Sequence, residues 1–182
     1  NVIHLTWVSV IGNNKNIMYS KSEDYGETFS NPVQINSLDN NIVAYGQSGP
    51  RVVAYQNKVY ITYTDDRSGL TAIYLNISGD YGSTWQEEIL ISDTQYLNAY
   101  QDFEVDINGN LHLVYYNYAA NYHLQDVRYR FFEVDDIISF NPSILLGIVT
   151  DDMEPCDCCQ PDLEIDISGD IYVIYRNNEQ NI

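Results

Sequence analysis

Three cysteines are the residues whose type and spacing point most directly to chemistry. Cys156, Cys158 and Cys159 are the only cysteines in the 182-residue chain, and they lie almost side by side. Adjacent Cα atoms are about 3.8 Å apart, which would strain a Cys158–Cys159 disulfide, whereas Cys156 and Cys159 are easier to join. Three neighbouring thiolates also form a soft site for Cu(I) or Zn(II), with Met153 or His123 as further ligands. Three interpretations stay open: a structural disulfide with one remaining thiol, a copper or zinc site, and a redox-active cluster.

Charged and aromatic side chains in predicted loops are the candidates for ligand binding. In residues 64–69, Asp66 and Arg67 could contact a sugar or a cation, or the turn could pair its own charges. The tyrosine-rich segments 96–100 and 116–122 offer flat faces that stack on sugars or fill protein pockets, or else pack inside the protein. The candidate binding residues are Arg51, Asp65, Asp66, Arg67, Tyr100, Asp102, His123 and Arg176. No residue is predicted to be catalytic.

The composition indicates an acidic β protein. The formal net charge is −18, from 26 acidic and 8 basic side chains, so the chain repels phosphate backbones and anionic membranes. Seventeen tyrosines and many Ile and Val residues favour strands. No apolar run approaches the ~18 residues that would span a bilayer, and the N-terminus shows no signal sequence. We therefore expect neither a nucleic-acid partner nor a membrane span.

The chain is organised by an internal repeat. Ser-Glu-Asp-Tyr-Gly-Glu-Thr-Phe at residues 22–29 recurs as Ser-Gly-Asp-Tyr-Gly-Ser-Thr-Trp at residues 78–85. Alternating apolar runs surround both copies, and Asn-Gly at 108–109 and Ser-Gly at 168–169 predict hairpin turns between such runs. His4 and His112 fall at equivalent strand positions and are predicted to be packing residues. Four antiparallel strands per repeat are typical of a β-propeller blade.

The repeated motif is similar to the Asp-box of sialidases and other bacterial neuraminidase-repeat propellers. The matching residues are Ser22, Asp24, Gly26, Thr28, Phe29, Ser78, Asp80, Gly82, Thr84 and Trp85. In the third repeat only the aromatic residue matches, as Phe140. A short polar side chain can bond backbone N–H groups in a tight turn, Gly permits a positive φ, and the aromatic residue is expected to pack on its own sheet. One Asp and one Ser per turn are too few for a calcium site, so we predict a structural role.

The strand pattern and this resemblance predict an all-β fold, a sialidase-like β-propeller of four-stranded antiparallel blades. The predicted units are a partial blade at 1–36, blades at 50–92 and 101–149, and a partial blade at 160–182. We expect a fragment of about three and a quarter blades, because an open propeller exposes strand edges. The remaining blades, or another protein, would complete the ring.

The resemblance implies a secreted or surface-exposed protein, located outside the cell, on its surface or in the periplasm. The blade-to-blade loops 37–50, 93–101 and 150–161 are expected on the functional face, opposite the Asp-box turns. The Phe-Arg-Ile-Pro run typical of sialidases is absent, and the arginines do not match that family's positions. The leading hypothesis is a non-catalytic module that binds a glycan or a protein. The alternative is an exo-sialidase-type glycoside hydrolase whose catalytic residues lie outside this chain.

Overall fold

The computed structural model contains β-strands and connecting turns and loops. It describes residues 1–39, 41–45, 48–93, 95–118, 124–133, 144–148, 153–155 and 159–179. His123, Phe140, Cys156 and Cys158 lie outside these residues. No helix in the described part of the chain is long and apolar enough to cross a membrane.

Three antiparallel sheets follow one another along the chain, and we number them blades 1 to 3. Blade 1 contains β1 (Ile3–Ile11), β2 (Asn14–Ser22) and β3 (Val33–Gln34). Blade 2 contains β4 (Arg51–Tyr55), β5 (Lys58–Asp65), β6 (Ala72–Ser78) and β7 (Ile89–Leu90). Blade 3 contains β8 (Leu97–Val105), β9 (Leu111–Tyr118), β10 (Leu124–Phe132) and β11 (Ile144–Ile148). The predicted four-stranded blades are confirmed.

Two short strand pairs complete the described structure. They are formed by β12 (Met153–Pro155) with β15 (Asn177–Glu179), and by β13 (Asp162–Ile165) with β14 (Ile171–Ile174). The pair β13–β14 continues the blade series, and we refer to it as blade 4. The prediction that 150–161 is a loop was wrong in part, because Met153–Pro155 forms β12 and pairs with β15 at Asn177–Glu179. The sequence gives no sign of this pairing, since the two segments are distant along the chain and neither alternates in hydrophobicity.

The innermost hairpin of each later blade closes on a turn that the sequence predicts. In blade 3, the Asp106 carboxylate accepts hydrogen bonds from the backbone N–H groups of Asn108 and Asn110, both at 2.8 Å. Gly109 has a φ of 90°, which glycine adopts without a steric penalty. Asp166 holds the corresponding turn of blade 4 through the N–H of Ser168 at 2.8 Å. The Asn-Gly and Ser-Gly turns are therefore confirmed.

Apolar side chains fill the spaces between neighbouring blades. Blades 1 and 2 enclose a cluster that includes Ile17, Tyr19 and Ile61. Blades 2 and 3 enclose another that includes Leu75 and Phe103. Both central strands β5 and β9 are buried on their two faces, which explains why they read as nearly continuous apolar runs. The inner strands β4, β8 and β13 contact one another in sequence, as expected around a propeller axis.

The two Asp-box turns have the same hydrogen bonds. In the first, Asp24 accepts from the Ser22 hydroxyl at 2.7 Å, from the Thr28 N–H at 2.9 Å and from the Thr28 hydroxyl at 2.6 Å. Asp80 receives the equivalent bonds from Ser78 and Thr84 at 2.7–2.8 Å. The carboxylate oxygens accept hydrogen bonds from their own turn, which agrees with a structural role.

The aromatic residue that ends the Asp-box packs against the preceding blade as well as its own. The Trp85 ring meets Tyr19 of blade 1 edge-on, with centroids 4.9 Å apart. Gly82 leaves the space that the Tyr19 hydroxyl occupies, since a Cβ at this position would overlap with it. Phe29, by contrast, is 46% exposed. The prediction that each aromatic residue packs on its own sheet was therefore incomplete, because this motif also joins adjacent blades.

Candidate functional site

A cleft of about 790 Å³ opens at the end of blades 1 and 2 opposite the Asp-box turns. We call it the loop-face cleft; its functional side chains are Trp7, Lys15, Tyr45, Arg51, Cys159 and Gln160. One wall is the inner edge of β1. In blades 2 and 3 the equivalent edges of β5 and β9 are covered by β4 and β8, so this edge of β1 is the position that an innermost strand takes in the repeat. The loop side of the cleft therefore provides the more specific contacts.

The loop that carries Tyr45 is held from both neighbouring blades. The Lys15 ammonium of blade 1 donates a hydrogen bond to the Ala44 carbonyl at 3.0 Å. On the other side, the Val43 N–H donates to the Thr64 carbonyl at the end of β5, also at 3.0 Å. This anchoring leaves Tyr45 62% exposed on a fixed backbone. An exposed tyrosine ring is a suitable surface for stacking on a sugar.

Two predicted binding residues, Arg51 and Asp102, form an ion pair at the floor of the cleft. The Arg51 Nε donates to Asp102 Oδ1 at 2.9 Å, and the Leu163 N–H donates to Asp102 Oδ2 at 2.8 Å. Arg51 and Asp102 occupy equivalent positions on the innermost strands β4 and β8, and Leu163 lies on β13. Asp102 thus links blades 2, 3 and 4, and its two oxygens are both occupied.

Carboxylates continue along the innermost strands below this pair. Glu104 on β8 is half-buried, and its pKa is raised by burial and by the negative charges of Asp102, Glu164 and Asp162. A carboxyl group with a raised pKa keeps its proton more readily and can act as a general acid. Sequence reasoning did not select Glu104, because its alternating strand pattern looks like that of any exposed acidic residue.

Two charged side chains of the loop at residues 64–69 form an ion pair with each other. The side chain of Asp65 is fully buried, and its carboxylate accepts from Arg67 Nε at 2.9 Å and Nη2 at 2.7 Å. The Arg67 guanidinium also lies 4.4 Å from the centroid of the Tyr74 ring, and its Nη2 is 3.4 Å from Glu88. Hydrogen bonding to Asp65 raises the pKa of Arg67. This geometry favours the structural interpretation of Asp65 and Arg67, whereas Asp66 is exposed.

The predicted tyrosine surfaces divide into buried and accessible rings. Tyr116 and Tyr118 pack in the core between blades 3 and 4, with exposures of 0% and 8%. Tyr100 packs beside them, with ring centroids at 6.1 Å from Tyr116 and 6.4 Å from Tyr118. Tyr96 is 39% exposed. The interpretation that these tyrosines pack inside the protein therefore holds for Tyr116 and Tyr118.

Of the remaining predicted residues, the structure describes only some. Cys159 lines the cleft, while Cys156, Cys158 and His123 lie outside the described residues. Within the described part, no group of three His, Cys, Asp or Glu side chains is placed to hold a metal ion, so the copper or zinc site stays a prediction. Arg176 is exposed directly after β14.

The two strand histidines make equivalent contacts, as their repeat positions predict. His4 Nδ1 is 2.6 Å from the Tyr19 hydroxyl, and His112 Nδ1 is 2.8 Å from the Tyr129 hydroxyl. Burial lowers the pKa of both histidines and raises that of each tyrosine to about 12. These histidine–tyrosine contacts belong to the packing of blades 1 and 3.

Sequence reasoning missed Trp7, Lys15 and Tyr45. The available signal for Tyr45 was its position in the loop 37–50, which was assigned to the functional face, whereas Lys15 lies on β2. Trp7 had no such signal, because it lies within a regular strand. These residues enter the site through contacts between segments that are distant in the sequence.

Comparison with solved structures identifies the architecture. The chain is similar to an α-L-arabinanase from Penicillium chrysogenum solved with arabinobiose, with a TM-score of 0.64, 17% identity, and coverage of 95% of this chain and 53% of that one. An α-L-arabinofuranosidase from Fusarium graminearum gives a TM-score of 0.58 at 14% identity, with coverage of 80% and 45%. An endo-arabinase from Bacteroides thetaiotaomicron gives 0.56 at 12% identity, with coverage of 96% and 70%.

These similarities show the fold and confirm the prediction of a partial β-propeller. The chain spans about half the length of the first two enzymes. The neighbours are propeller glycosidases acting on arabinose-containing substrates, so the finer resemblance to sialidases is not specifically shown. Models of known protein families give no match, and neither do curated protein sequences.

Proposed function

We propose that this chain is a glycan-binding part of a β-propeller and that it holds a neutral sugar in the loop-face cleft. The observation that carries the proposal is the exposed Tyr45 ring, whose loop is hydrogen-bonded to two blades and which lines the same cleft as Arg51. Aromatic faces stack on the apolar faces of sugar rings, and a few placed polar groups then orient the ligand. Similarity to propeller glycosidases supports a carbohydrate ligand at the level of the fold.

Electrostatics favour a neutral ligand over an acidic one. The net charge of −18 repels anions at long range. The two cationic side chains of the cleft are already engaged, Lys15 by the Ala44 carbonyl and Arg51 by Asp102. A sugar carboxylate would have to compete with Asp102, whereas sugar hydroxyls can bond to the remaining N–H groups. Secretion or exposure on the cell surface accords with such a role and belongs to the same proposal.

A glycoside hydrolase is the second candidate, and Glu104 is the observation that favours it. Its raised pKa suits a general acid, the group with which glycosidases protonate the leaving oxygen. Release of reducing ends from arabinan by the chain, lost in Glu104→Gln, would establish this activity. Equal release by Glu104→Gln, or none by the unmodified chain, would exclude Glu104 as its catalytic acid.

Isothermal titration calorimetry with a small glycan panel tests the binding proposal. The panel contains arabinobiose, xylobiose and cellobiose as neutral probes, and sialyllactose as an anionic one. We expect binding of at least one neutral disaccharide and a loss of about tenfold in affinity in Tyr45→Ala, which corresponds to one stacking contact. Tyr172→Ala, which removes a tyrosine of similar exposure from blade 4, is the matched control. Failure to bind any neutral probe, or equal binding by Tyr45→Ala, would refute the proposal.

A further inference from the structure

A second, smaller cavity lies beside the loop-face cleft, between the loops of blades 2 and 3. It has a volume of about 210 Å³, and we call it the tyrosine pocket after Tyr45, Tyr100 and Tyr118. Val43, Thr71 and Leu97 contribute to the rest of its lining. The volume is several times the ~30 Å³ that one water occupies in the liquid, so it can admit a sugar ring but not a longer chain.

A β-bulge accounts for the shape of this pocket. Tyr100 and Gln101 of β8 together oppose a single residue of β9, because the register shifts between Ala99 and Asp102. Tyr100 has a φ of 56°, an unfavourable value for a residue with a Cβ. The bulge turns the two side chains apart. Gln101 accepts a hydrogen bond from the Thr64 hydroxyl at 2.8 Å, while the Tyr100 ring lies against Tyr118 and the pocket.

The side chains that line the tyrosine pocket favour the face of a sugar ring over a charged group. Among the described residues that form the pocket, none carries a formal charge, although the chain as a whole is strongly acidic. Three tyrosine rings and the apolar side chains provide flat and aliphatic surfaces, with the Thr71 hydroxyl as a polar group. This combination fits the apolar face of a neutral sugar.

Tyr45 lines both cavities, which makes them neighbours along one surface. We propose that the tyrosine pocket is a second sugar subsite, so that an oligosaccharide bound in the loop-face cleft crosses Tyr45 and places another ring against Tyr100. This inference rests on the proposed function and specifies its ligand as an extended neutral oligosaccharide. A disaccharide occupies the cleft, and longer chains gain contact with Tyr100.

Affinities for chains of different length test the subsite. Calorimetry uses three probe pairs: arabinobiose and arabinotetraose, xylobiose and xylotetraose, and cellobiose and cellotetraose. For the series that binds, we expect the tetrasaccharide to bind at least about fivefold more tightly than the disaccharide, as one added aromatic contact would give. Tyr100→Ala should remove this difference and leave the disaccharide affinity unchanged, whereas Tyr100→Phe, which keeps the ring, should preserve it. Tyr96→Ala is the control for an exposed tyrosine of the same segment.

A second variant covers the case in which Tyr100→Ala does not fold. Val43→Phe adds a ring to the pocket from the opposite wall and should abolish the preference for the tetrasaccharide while Tyr100 is retained. Equal affinity for both chain lengths in the unmodified protein, or a preference that survives Tyr100→Ala or Val43→Phe, overturns the subsite alone. Failure to bind every disaccharide and tetrasaccharide overturns the proposed function and the subsite with it.

Discussion

At the scale of single residues, the structure depends on hydrogen bonds and packing contacts between residues of different blades. Asp102 is the clearest case, since its carboxylate joins Arg51 of β4 to the backbone of Leu163 on β13. Gly82 is another, because its missing side chain makes room for Tyr19 of the preceding blade. Substitution of Asp102 or Gly82 should therefore change the free energy of unfolding through contacts with other blades.

Asp102→Ala should lower the free energy of unfolding by about 2 kcal/mol, because it leaves the Arg51 guanidinium and the buried Leu163 N–H without their acceptor. Denaturant unfolding followed by circular dichroism provides the measurement. Asp66→Ala, which changes an exposed carboxylate, is the control and should stay within about 0.5 kcal/mol of the unmodified chain. A similarly small effect for Asp102→Ala would contradict the linking role.

Gly82→Ala should destabilise the chain by about 2 kcal/mol or more, since the new Cβ adds a clash with Tyr19 to the strain of a φ of 77°. Gly69→Ala is a matched control, because Gly69 has a φ of 85° but open space around it. Its loss should be only about 1 kcal/mol from backbone strain. Equal losses in the two variants would show that the contact with Tyr19 contributes nothing.

At the scale of secondary-structure elements, the Asp-box turns are held by their own side chains, whereas the loop with Tyr45 is held by neighbouring blades. The Asp-box turns place Tyr25 and Tyr81 at φ values of 62° and 58°, followed by Gly26 and Gly82 at 91° and 77°. Their own Asp side chains hold this conformation. The loop with Tyr45 depends instead on Lys15 and on β5, so it needs the assembled blades.

The Asp-box turns should lose stability in acid. Hydrogen bonds lower the pKa of Asp24 and Asp80 from 3.8 to about 2, chiefly bonds from the Thr28 hydroxyl and the Thr84 N–H respectively. A lowered folded-state pKa means that the contribution is complete above the unfolded value of 3.8 and is lost as the pH falls towards 2. Thermal melting between these pH values should therefore show a smaller decrease for Asp80→Asn than for the unmodified chain. Parallel decreases would contradict this assignment.

For the cysteine segment, the prediction from the sequence is that no more than one of the three thiols is unmodified. Pro155 and Pro161 flank Cys156, Cys158 and Cys159 and restrict the backbone, which favours a preset cluster over three mobile thiols. Thiol counting under denaturing conditions, with and without reductant, and elemental analysis for copper and zinc provide the measurement. Three reactive thiols without bound metal, in protein isolated without reductant, would contradict both the disulfide and the metal interpretation.

At the scale of the whole molecule, repeated blades build an acidic propeller whose surfaces differ from end to end. The Asp-box end presents polar turns that are hydrogen-bonded internally. Both ends expose aromatic side chains, including Tyr25 and Tyr81 at the Asp-box end, and the opposite end carries the loop-face cleft and the tyrosine pocket. The blade-to-blade contacts that close the core also bring the loop and strand residues of these cavities together.

We expect no sialidase activity from this chain. The overall charge of −18 opposes binding of an anionic sugar, and Arg51 is already paired with Asp102. A fluorogenic sialoside analogue incubated with purified protein should release no fluorophore above the buffer background. Release that is abolished by Arg51→Ala or Arg176→Ala would overturn this expectation.

The blades and their turns could be predicted from the sequence, because they depend on neighbouring residues. Alternating apolar residues specify strands, Asn-Gly and Ser-Gly specify hairpins, and Ser22, Asp24 and Gly26 contain the bonding groups of their own turn. The candidate site could be predicted only in part: Arg51, Tyr100 and Asp102 were selected, but Trp7, Lys15 and Tyr45 were not. The three-dimensional arrangement was needed to show that Arg51 meets Asp102, that Trp85 packs on Tyr19 and that Tyr45 lines two cavities. The physical reason is that these contacts join residues of different blades, whose separation in space is set by blade packing and not by local sequence.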